Sequence, residues 1–480
     1  MDPRDIDWGS DSAEADQNLL KYFVKPVQLK RLKEQRKQFV VGRKGAGKSA
    51  IRKKLLDELR VVQNSVNIEI LPSQSIFSSL RLDDEINKNF AEEIFFQYAW
   101  LTHCFNKALE AIGASQEGKF TVGSYAAARD FALKRGTANF DFLEGIRDLA
   151  QRIKIKGGNK LGDLGIQIEK SLREISDINS LEYHLKKMAA DGVKITFLID
   201  DLDLGWDNSS LSNKILQGLL LASHYIRALN PNLQCIVFIR DDMYRLLLQG
   251  TQHSDKFRES VLLKWESEGL QEVLAERIKF NFESADQKMP EEKDDILNFV
   301  FPKNIGSSGA MNWIIERTLS RPRELIQFAK LYTENLSSAE PNSDVLKSVE
   351  ETYSRMKLED LCAEYKNQYP DLKGIFDHWR ARFFRQKYHL TKEELTNVIL
   401  TILADCKINQ PWFVQLKDKV DVEGLSKILY DIGFVGDFIK GGAGGSKTIY
   451  STEDHTPIFA EIQVHPCFRK AVGTVERIRE

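Results

Sequence analysis

Residues 38–51 read Q-F-V-V-G-R-K-G-A-G-K-S-A-I and contain the most specific pattern in the chain. The apolar run 39–41 is typical of a buried parallel strand, and residues 42–49 match G-x-x-x-x-G-K-[ST] at every fixed position. Apolar residues at helical spacing follow the loop and predict a helix. A chance glycine-rich turn would lack these flanking elements. The pattern therefore predicts a site for the phosphates of a nucleoside triphosphate.

The loop residues have distinct predicted roles. Glycine lets the backbone turn tightly, so that its N–H groups can face phosphate oxygens. Lys48 is placed to reach the β- and γ-phosphates, and the Ser49 hydroxyl is placed to ligate Mg²⁺. The predicted nucleotide-binding residues of the loop are Gly42, Arg43, Lys44, Gly45, Ala46, Gly47, Lys48, Ser49 and Ala50.

A second pattern, I-T-F-L-I-D-D-L-D, occupies residues 195–203. A buried parallel strand delivers the acids that follow it to the carboxyl edge of the sheet, where ligands bind in open α/β folds. Asp200 is predicted to serve the Mg²⁺ ion, and Asp201 to be the general base that polarises the attacking water. Asp203 is out of phase with this strand face, which predicts a supporting role. Acids after a strand can also be helix N-caps, but the complete phosphate loop favours the catalytic interpretation.

A third strand is predicted at residues 233–239 and ends at Arg240. This arginine would lie between the two phosphate motifs, where it could sense the γ-phosphate. Pairing with Asp241 or Asp242 is an equally good interpretation of the same residues.

Residues 320–324 read S-R-P-R-E and predict a helix start, with Ser320 as the cap and a proline in the first turn. Cations at a helix N-terminus oppose the helix dipole, so one of the two arginines is expected to face an anion such as a triphosphate. Two positions on a helix are about 200° apart, so only one arginine can do so, and Arg323 is favoured over Arg321. A local pair with Glu324 is the alternative.

Length and composition exclude several classes of protein. The 480 residues suffice for two or three domains, and 68 basic residues against 70 acidic ones leave a net charge of −2 and no global basic field. The five cysteines lie far apart without a C-x-x-C pattern, which fits a reducing compartment rather than a zinc site or a disulfide framework. No signal peptide and no membrane helix are recognised, so a cytoplasmic location is expected.

The chain order predicts four regions. Residues 1–265 form the ATPase core with a helical insertion at about 75–190, and residues 266–335 form a helical lid. Residues 336–389 form a connecting helical region, and residues 390–480 form a winged-helix-like domain that ends in a hairpin. The predicted fold class is α/β, with a P-loop core.

Two segments bear on nucleic-acid binding. Residues 153–168 predict a hairpin whose arm is basic from Arg152 to Lys160. Lysines on a solvated strand edge are the favoured explanation, and a nucleic-acid contact is the alternative. The would-be recognition helix of the C-terminal domain is acidic, with Lys427 as its only basic residue. Reading a DNA major groove requires the opposite charge, so docking to a protein is favoured there.

The three motifs V-G-R-K-G-A-G-K-S, F-L-I-D-D-L-D and S-R-P-R-E-L-I together resemble bacterial P-loop ATPases on the border of the KAP, STAND and AAA+ groups. W-G-S-D-S-A-E-A-D near the start and H-P-C-F-R-K-A near the end are similar to one family there. The resemblance implies a five-stranded parallel sheet of order 5-1-4-3-2, a helical lid and assembly as homo-oligomers. Proteins of this kind are often linked to antiphage defence, although no residue of this chain bears on that role.

The same resemblance implies further roles. Arg240 or Asp241 would be sensor 1, Arg321 or Arg323 sensor 2, and Arg258 an arginine finger. Asp201 stands where AAA+ proteins have glutamate, while KAP-like and STAND proteins have aspartate there.

The expected function is an ATP-hydrolysing, Mg²⁺-dependent switch that changes assembly or partner contacts, with a protein partner bound through the C-terminal domain. One alternative is a DNA-engaging ATPase resembling origin-type initiators. Another is a nucleotide-binding scaffold with negligible turnover.

Overall fold

The chain forms two compact units. The first, the P-loop unit, comprises Ser12–Lys264, and the second, the C-terminal unit, comprises Met1–Asp11 together with Trp265–Glu480. The computed structural model describes residues 1–34, 36–72, 77, 79–80, 83, 86, 89–90, 92–135, 142–157, 168–287, 290–441, 445–451 and 455–475.

A parallel five-stranded sheet organises the P-loop unit. Its strands are β1 (Phe39–Gly42), β2 (Ser65–Ile70), β3 (Lys194–Ile199), β4 (Leu233–Arg240) and β5 (Ser260–Leu262). They lie in the order β2-β3-β4-β1-β5, which confirms the predicted order 5-1-4-3-2 read from the opposite edge. β1 is buried along its whole length, and β4 is buried except at Gln234, as expected for a sheet covered on both faces.

The register of the sheet brings the predicted site residues to one edge. Gly42, at the end of β1, pairs with Arg240 at the end of β4. On the other side of β4, β3 ends at Ile199, one residue before Asp200. The carboxyl ends of these three adjacent parallel strands therefore meet where the phosphate loop begins.

Helices cover the sheet. The helix that follows the phosphate loop, Lys48–Arg60, is here called the P-loop helix. The other described helices of the unit are Val27–Glu34, Glu93–Ser115, Gly123–Arg135, Phe142–Gly157, Ile168–Ile175, Ile178–Ala190, Ser210–Leu229, Asp241–Gln249 and the 3₁₀ turn Ser254–Phe257. Glu93–Ser115 packs closely on Ser210–Leu229, because Gly218 has no side chain there and an added Cβ would lie 2.6 Å from the Cβ of Phe96.

The predicted hairpin at residues 153–168 is wrong in its first strand. Ile153 and the three residues after it belong to the helix Phe142–Gly157. Ile146, Leu149, Ala150 and Ile153 recur at helical spacing and are all buried, whereas Ile155 is 77% exposed. The alternation of isoleucine and lysine therefore continues a helical pattern, and residues 158–167 lie outside the described part of the chain.

The C-terminal unit is mainly helical. Its helices are Ser267–Ser284, Lys293–Val300, Ala310–Arg317, Pro322–Glu334, Ser343–Glu364, Lys373–Phe383, Lys392–Asp405, Pro411–Lys419, Val422–Asp431 and Pro466–Val472, with a 3₁₀ turn at Pro3–Asp5. Here Pro322–Glu334 is called the lid helix. Arg321 is its N-cap residue in place of the predicted Ser320, and both Leu319 and Ser320 have positive φ angles.

Two small sheets complete the C-terminal unit. The first pairs β6 (Asn304–Ile305) with β7 (Ser308–Gly309). The second has the order β10-β9-β11-β8 and consists of β8 (His389–Thr391), β9 (Val435–Ile439), β10 (Lys447–Ile449) and β11 (Glu461–Val464). The predicted capping box at Thr391 and Glu394 is present, and the predicted hairpin corresponds to antiparallel β9 and β10.

Among the helices in the described ranges, none combines the length and the apolar character that a bilayer crossing requires.

Candidate functional site

The phosphate loop leaves β1 at Gly42 and ends where the P-loop helix begins. Gly45 and Gly47 have φ angles of +82° and +96°, a region that residues with a Cβ rarely adopt. Gly47 is the N-cap residue of the P-loop helix, with no side chain to cap the first backbone N–H groups. These groups are thus available to an anion at the helix N-terminus.

The lysine of the motif is held at the loop. The Lys48 Nζ donates hydrogen bonds to the carbonyl oxygens of Gly42, at 2.9 Å, and Arg43, at 3.2 Å. Lys44 is exposed, Ala46 is buried and Ala50 lies in the P-loop helix. Lys48 is therefore the loop lysine whose ammonium group is fixed beside the backbone of the loop.

The two motifs meet through Ser49 and Asp200. The side chain of Ser49 lies near the carboxylate of Asp200, which is only 3% exposed. Burial raises the pKa of Asp200, while Lys48, Arg52 and Ser49 act in the opposite direction. The structure thus brings Ser49 and Asp200, the two residues predicted to serve one ion, close to each other.

Asp201 follows in a strained backbone conformation. Its φ angle is +61°, in the left-handed region that aspartate tolerates better than most residues with a Cβ. Its carboxyl is partly exposed, and its pKa is raised to about 6, first by burial and then by the negative charges of Asp200 and Glu14. The structure therefore provides a carboxyl that changes charge near neutral pH, as a general base requires.

Two residues that the sequence prediction missed complete this cluster. The buried Arg52 donates from Nε to Asp200 Oδ2 at 3.1 Å and also forms an ion pair with Glu69. Its Nη2 lies 3.4 Å from Oε1 of Glu14, and carboxylate oxygens of Glu14, Asp200 and Asp201 lie within 4.8 Å of one another.

A signal for Arg52 existed in the sequence, whereas none existed for Glu14. Arg52 lies four residues after Lys48, so both face the same side of the P-loop helix. Glu14 is distant in sequence from every other member of the cluster, and no local pattern marks it.

The end of β4 carries a charged group beside the loop. Arg240 pairs with Asp242 at 2.7 Å and lies 3.8 Å from Asp203, so one of its two predicted interpretations, an acidic partner, is observed. Asp241 is buried, with its Oδ2 bound to Arg245 and 3.8 Å from Nε of Arg43. Within the described residues, its Oδ1 has no hydrogen-bond partner.

Arg258 is placed at the surface of the P-loop unit. It follows the 3₁₀ turn Ser254–Phe257 and precedes β5, and its side chain is exposed. Its side chain makes no hydrogen bond or ion pair with the described residues. This is the exposure that a residue acting on a neighbouring subunit needs.

The two arginines after Ser320 belong to the C-terminal unit and differ sharply. Arg321 is 6% exposed and lies 3.6 Å from Glu364 and 3.9 Å from Glu324. Arg323 is partly exposed and donates from Nε to the backbone oxygen of Asp11 at 3.0 Å. Arg321 is thus part of a buried charge cluster, and Arg323 is the more accessible cation.

The residues present fit Mg²⁺ and a triphosphate. Mg²⁺ prefers oxygen ligands, and Ser49 with Asp200 offers a hydroxyl beside a buried carboxylate. The buried Oδ1 of Asp241 lacks a partner among the described residues, as expected of an acceptor that meets a bound molecule or water.

Comparison with known proteins adds two findings. Residues 268–362 match the model of the FunZ-associated C-terminal helical domain. The chain is also 24% identical over 490 residues to the protein named "Putative transposon gamma-delta 80.3 kDa protein" from Escherichia coli strain K12. The alignment covers 96% of this chain and 66% of the length of that relative, so the chain spans about two thirds of it. The parallel α/β core is consistent with an NTPase, and the matched helical domain lies in the C-terminal unit.

Proposed function

We propose that this protein binds Mg²⁺·ATP in the phosphate loop, hydrolyses it, and uses the change of nucleotide state as a switch for assembly or partner contacts. The observation that carries the proposal is the proximity of Ser49 and Lys48, from the phosphate loop, to the buried carboxylate of Asp200. The hydroxyl of one predicted nucleotide motif and the acid of the other therefore lie side by side. Two motifs far apart in sequence therefore supply one oxygen-rich site at the edge of a parallel sheet.

Binding would use groups that the structure already orients. The N–H groups at the start of the P-loop helix face an anion, and Lys48 would exchange its bonds to the loop carbonyls for phosphate oxygens. Ser49 and Asp200 would hold Mg²⁺, which supplies charge neutralisation at the phosphates when it is bound. The choice of ATP over GTP rests on the resemblance to P-loop ATPases.

Hydrolysis would use Asp201 as the base that orients and polarises a water molecule. Its raised pKa makes the carboxylate a better proton acceptor than an ordinary aspartate. The buried Asp241, or Arg240, would contact the region of the γ-phosphate as sensor 1. Arg258 would act on the site of a neighbouring subunit, and Arg323 on the lid side, as sensor 2.

The DNA-engaging alternative has less support in the described residues. Arg152, in the predicted basic arm, pairs with Asp148 at 2.9 Å and Asp177 at 2.8 Å. In the acidic C-terminal helix, Lys427 pairs with Asp431. The name of the E. coli relative refers to a transposon and does not state what that protein binds. A protein partner at the C-terminal unit therefore stays the preferred proposal.

An ATPase assay with and without double-stranded DNA, alongside a mass measurement in each nucleotide state, tests the proposal. We expect Mg²⁺-dependent release of phosphate that DNA does not stimulate, and a larger assembly with bound ATP than with ADP. Strong stimulation by DNA would favour the initiator-like alternative. Tight nucleotide binding without turnover would favour the scaffold.

A further inference from the structure

The segment Ser12 to Asp16 lies against the P-loop helix within the P-loop unit. The Nζ of Lys53 donates hydrogen bonds to the backbone oxygens of Ala13, at 2.6 Å, and Glu14, at 3.1 Å. Lys53 lies four residues after Ser49 on the same helix. The backbone of this N-terminal segment is thus tied to the helix that carries the phosphate loop.

The side chain of Glu14 reaches the acids of the site through Arg52. Arg52 is 3% exposed and shares its guanidinium among Asp200, Glu69 and Glu14. The Glu14 side chain itself is 44% exposed. A change in the position of Glu14 therefore alters how strongly Arg52 holds Asp200.

The charges around Arg52 are not balanced. Four carboxylates, those of Glu14, Glu69, Asp200 and Asp201, lie close to Arg52. Besides Arg52 itself, the nearby cations among the described residues are Lys48 and Lys53, which leaves one carboxylate in excess. Like charges in a partly buried setting repel one another, and the exposed Glu14 can move more easily than the buried Asp200. A divalent cation at Ser49 and Asp200 would reduce this repulsion.

The residues directly before this segment, up to Asp11, belong to the C-terminal unit. The chain passes from that unit to the P-loop unit between Asp11 and Ser12. Asp11 accepts hydrogen bonds from Arg323 Nε, at 3.0 Å, and from Gln327 Nε2, at 3.0 Å, both on the lid helix. Only Ser12 and Ala13 separate Asp11 from Glu14, and the three chain steps between them span at most about 11 Å.

We propose that Glu14 is a positioning residue of the nucleotide site, acting on Asp200 through Arg52. We further propose that the segment Ser12 to Asp16 transmits Mg²⁺·nucleotide occupancy along the chain to Asp11 and the lid helix. This proposal rests on the proposed function, because it requires a metal-bound nucleotide in the phosphate loop. It assigns a role to Glu14 and its segment that the sequence motifs did not indicate.

The first test separates the contribution of Mg²⁺ to nucleotide affinity from the affinity for the nucleotide alone. The affinity of the full chain for a non-hydrolysable ATP analogue is measured by fluorescence with Mg²⁺ and with EDTA, for the wild type, Glu14→Gln and a control, Asp5→Asn. Asp5 is an exposed acid of the same N-terminal stretch. We expect Glu14→Gln to reduce the Mg²⁺-dependent gain in affinity at least five-fold and to leave the affinity in EDTA within about two-fold. Asp5→Asn should match the wild type.

The second test follows the segment itself by hydrogen–deuterium exchange. In the wild type, Mg²⁺ with the analogue should slow exchange of the amides in residues 12–16 several-fold relative to the analogue in EDTA. Glu14→Gln should lose this Mg²⁺-dependent protection. Lys53→Met, which removes the donor to the backbone, should speed exchange in both states.

The outcomes are distinguishable. Absence of any nucleotide binding by the wild type would overturn the proposed function, and this inference with it. Normal binding with the same exchange in residues 12–16 in both states, or an unchanged Mg²⁺ effect in Glu14→Gln, would overturn only the role of Glu14 and its segment. A purely structural role would lower the thermal stability of Glu14→Gln without changing the ratio of the two affinities, and would likewise contradict the proposal.

Discussion

Arg52 and Asp200 form an ion pair of 3.1 Å between Nε and Oδ2, and each side chain is 4% exposed. The pair links the helix after the phosphate loop to the end of the strand that carries the second motif. A buried carboxylate is costly unless charge and hydrogen bonds compensate it, and here Arg52, Lys48 and Ser49 all oppose the effect of burial on Asp200. The site is therefore held in shape by groups of the chain itself.

Replacing Asp201 by asparagine should separate binding from hydrolysis. Asparagine keeps the size of the side chain but cannot accept the proton, so Asp201→Asn should bind Mg²⁺·ATP with near wild-type affinity and lose at least about a hundred-fold in turnover. Single-turnover assays with labelled ATP measure this. Asp203→Asn is the matched variant, since Asp203 lies 3.8 Å from Arg240 and is expected to affect turnover much less. Undiminished turnover in Asp201→Asn would make Asp203 the next candidate for the base.

The pKa of Asp201 predicts the acid limb of the activity. Because the carboxyl titrates at about 6 and the base must be deprotonated, kcat/KM should fall about ten-fold per pH unit below that value. The same titration affects folding stability in the opposite direction, because stability rises as the pH falls. Burial penalises the carboxylate, so this group destabilises the folded state above pH 6, and the penalty is relieved as the pH falls from 6 towards 4.

Removing the negative charge of Glu14 should shift the acid limb of the pH dependence of kcat/KM. Glu14 is one of the negative groups that raise the pKa of Asp201, so Glu14→Gln should move the limb to lower pH. The pH dependence of kcat/KM for Asp5→Asn provides the reference. A limb at the same pH in both variants would show that Glu14 does not influence the base.

Replacing the two arginines of the S-R-P-R-E motif should have different effects: Arg321→Ala should lower stability, and Arg323→Ala should lower turnover. Arg321 is buried with Glu324 and Glu364, and the buried Lys357 also lies 3.7 Å from Glu324. Arg321→Ala removes one of the cations that compensate these carboxylates and should cost about 3–5 kcal/mol of stability, lowering Tm by at least about 5 °C. Arg323→Ala should leave Tm nearly unchanged and lower kcat at saturating ATP by about ten-fold or more, as expected for loss of a charge-assisted bond. Calorimetry measures Tm for both variants, and steady-state assays measure kcat. Wild-type kcat in Arg323→Ala would remove it from the sensor role.

An arginine finger can be tested by mixing inactive variants. Arg258→Ala retains an intact phosphate loop, whereas Lys48→Ala retains an intact Arg258. If Arg258 acts on a neighbouring subunit, the equimolar mixture should hydrolyse ATP several-fold faster than either variant alone. A mixture no more active than the mean of its parts would contradict action between subunits. Arg31→Ala, at an exposed arginine of the helix Val27–Glu34, controls for loss of a surface charge.

The sheet and the two nucleotide motifs could be predicted because each is a local signal. Residues 42–49 and Asp200 with Asp201 sit directly after apolar runs, and their position at a strand end follows from the alternation of strands and helices. The strand order came from the resemblance and is confirmed. The predicted capping box at Thr391 was also local, and it is observed.

The features that the sequence did not reveal depend on distant contacts. Glu14 meets Arg52 only in the folded chain, so its part in the cluster has no local pattern. The hairpin at Ile153 was predicted from a short alternation, and the longer helical period from Ile146 outweighs it because that face is buried. Residue type predicts Ser320 as the N-cap residue before Pro322. In the structure Ser320 has a positive φ angle, and Arg321 is the N-cap residue.

Nucleotide binding by the phosphate loop is measured by titrating a fluorescent ATP analogue into the wild type and Lys48→Ala in the presence of Mg²⁺, with Lys44→Ala as the matched control. Lys44 is an exposed lysine of the same loop, and its predicted contribution to binding is its backbone N–H group, which Lys44→Ala retains. Loss of the Lys48 ammonium removes charge-assisted bonds worth roughly 1.5–3 kcal/mol, so its variant should bind at least about ten-fold more weakly, while Lys44→Ala should stay within about two-fold of the wild type. No saturable binding by the wild type, or equal affinity in the wild type and Lys48→Ala, would contradict the assignment of the nucleotide site.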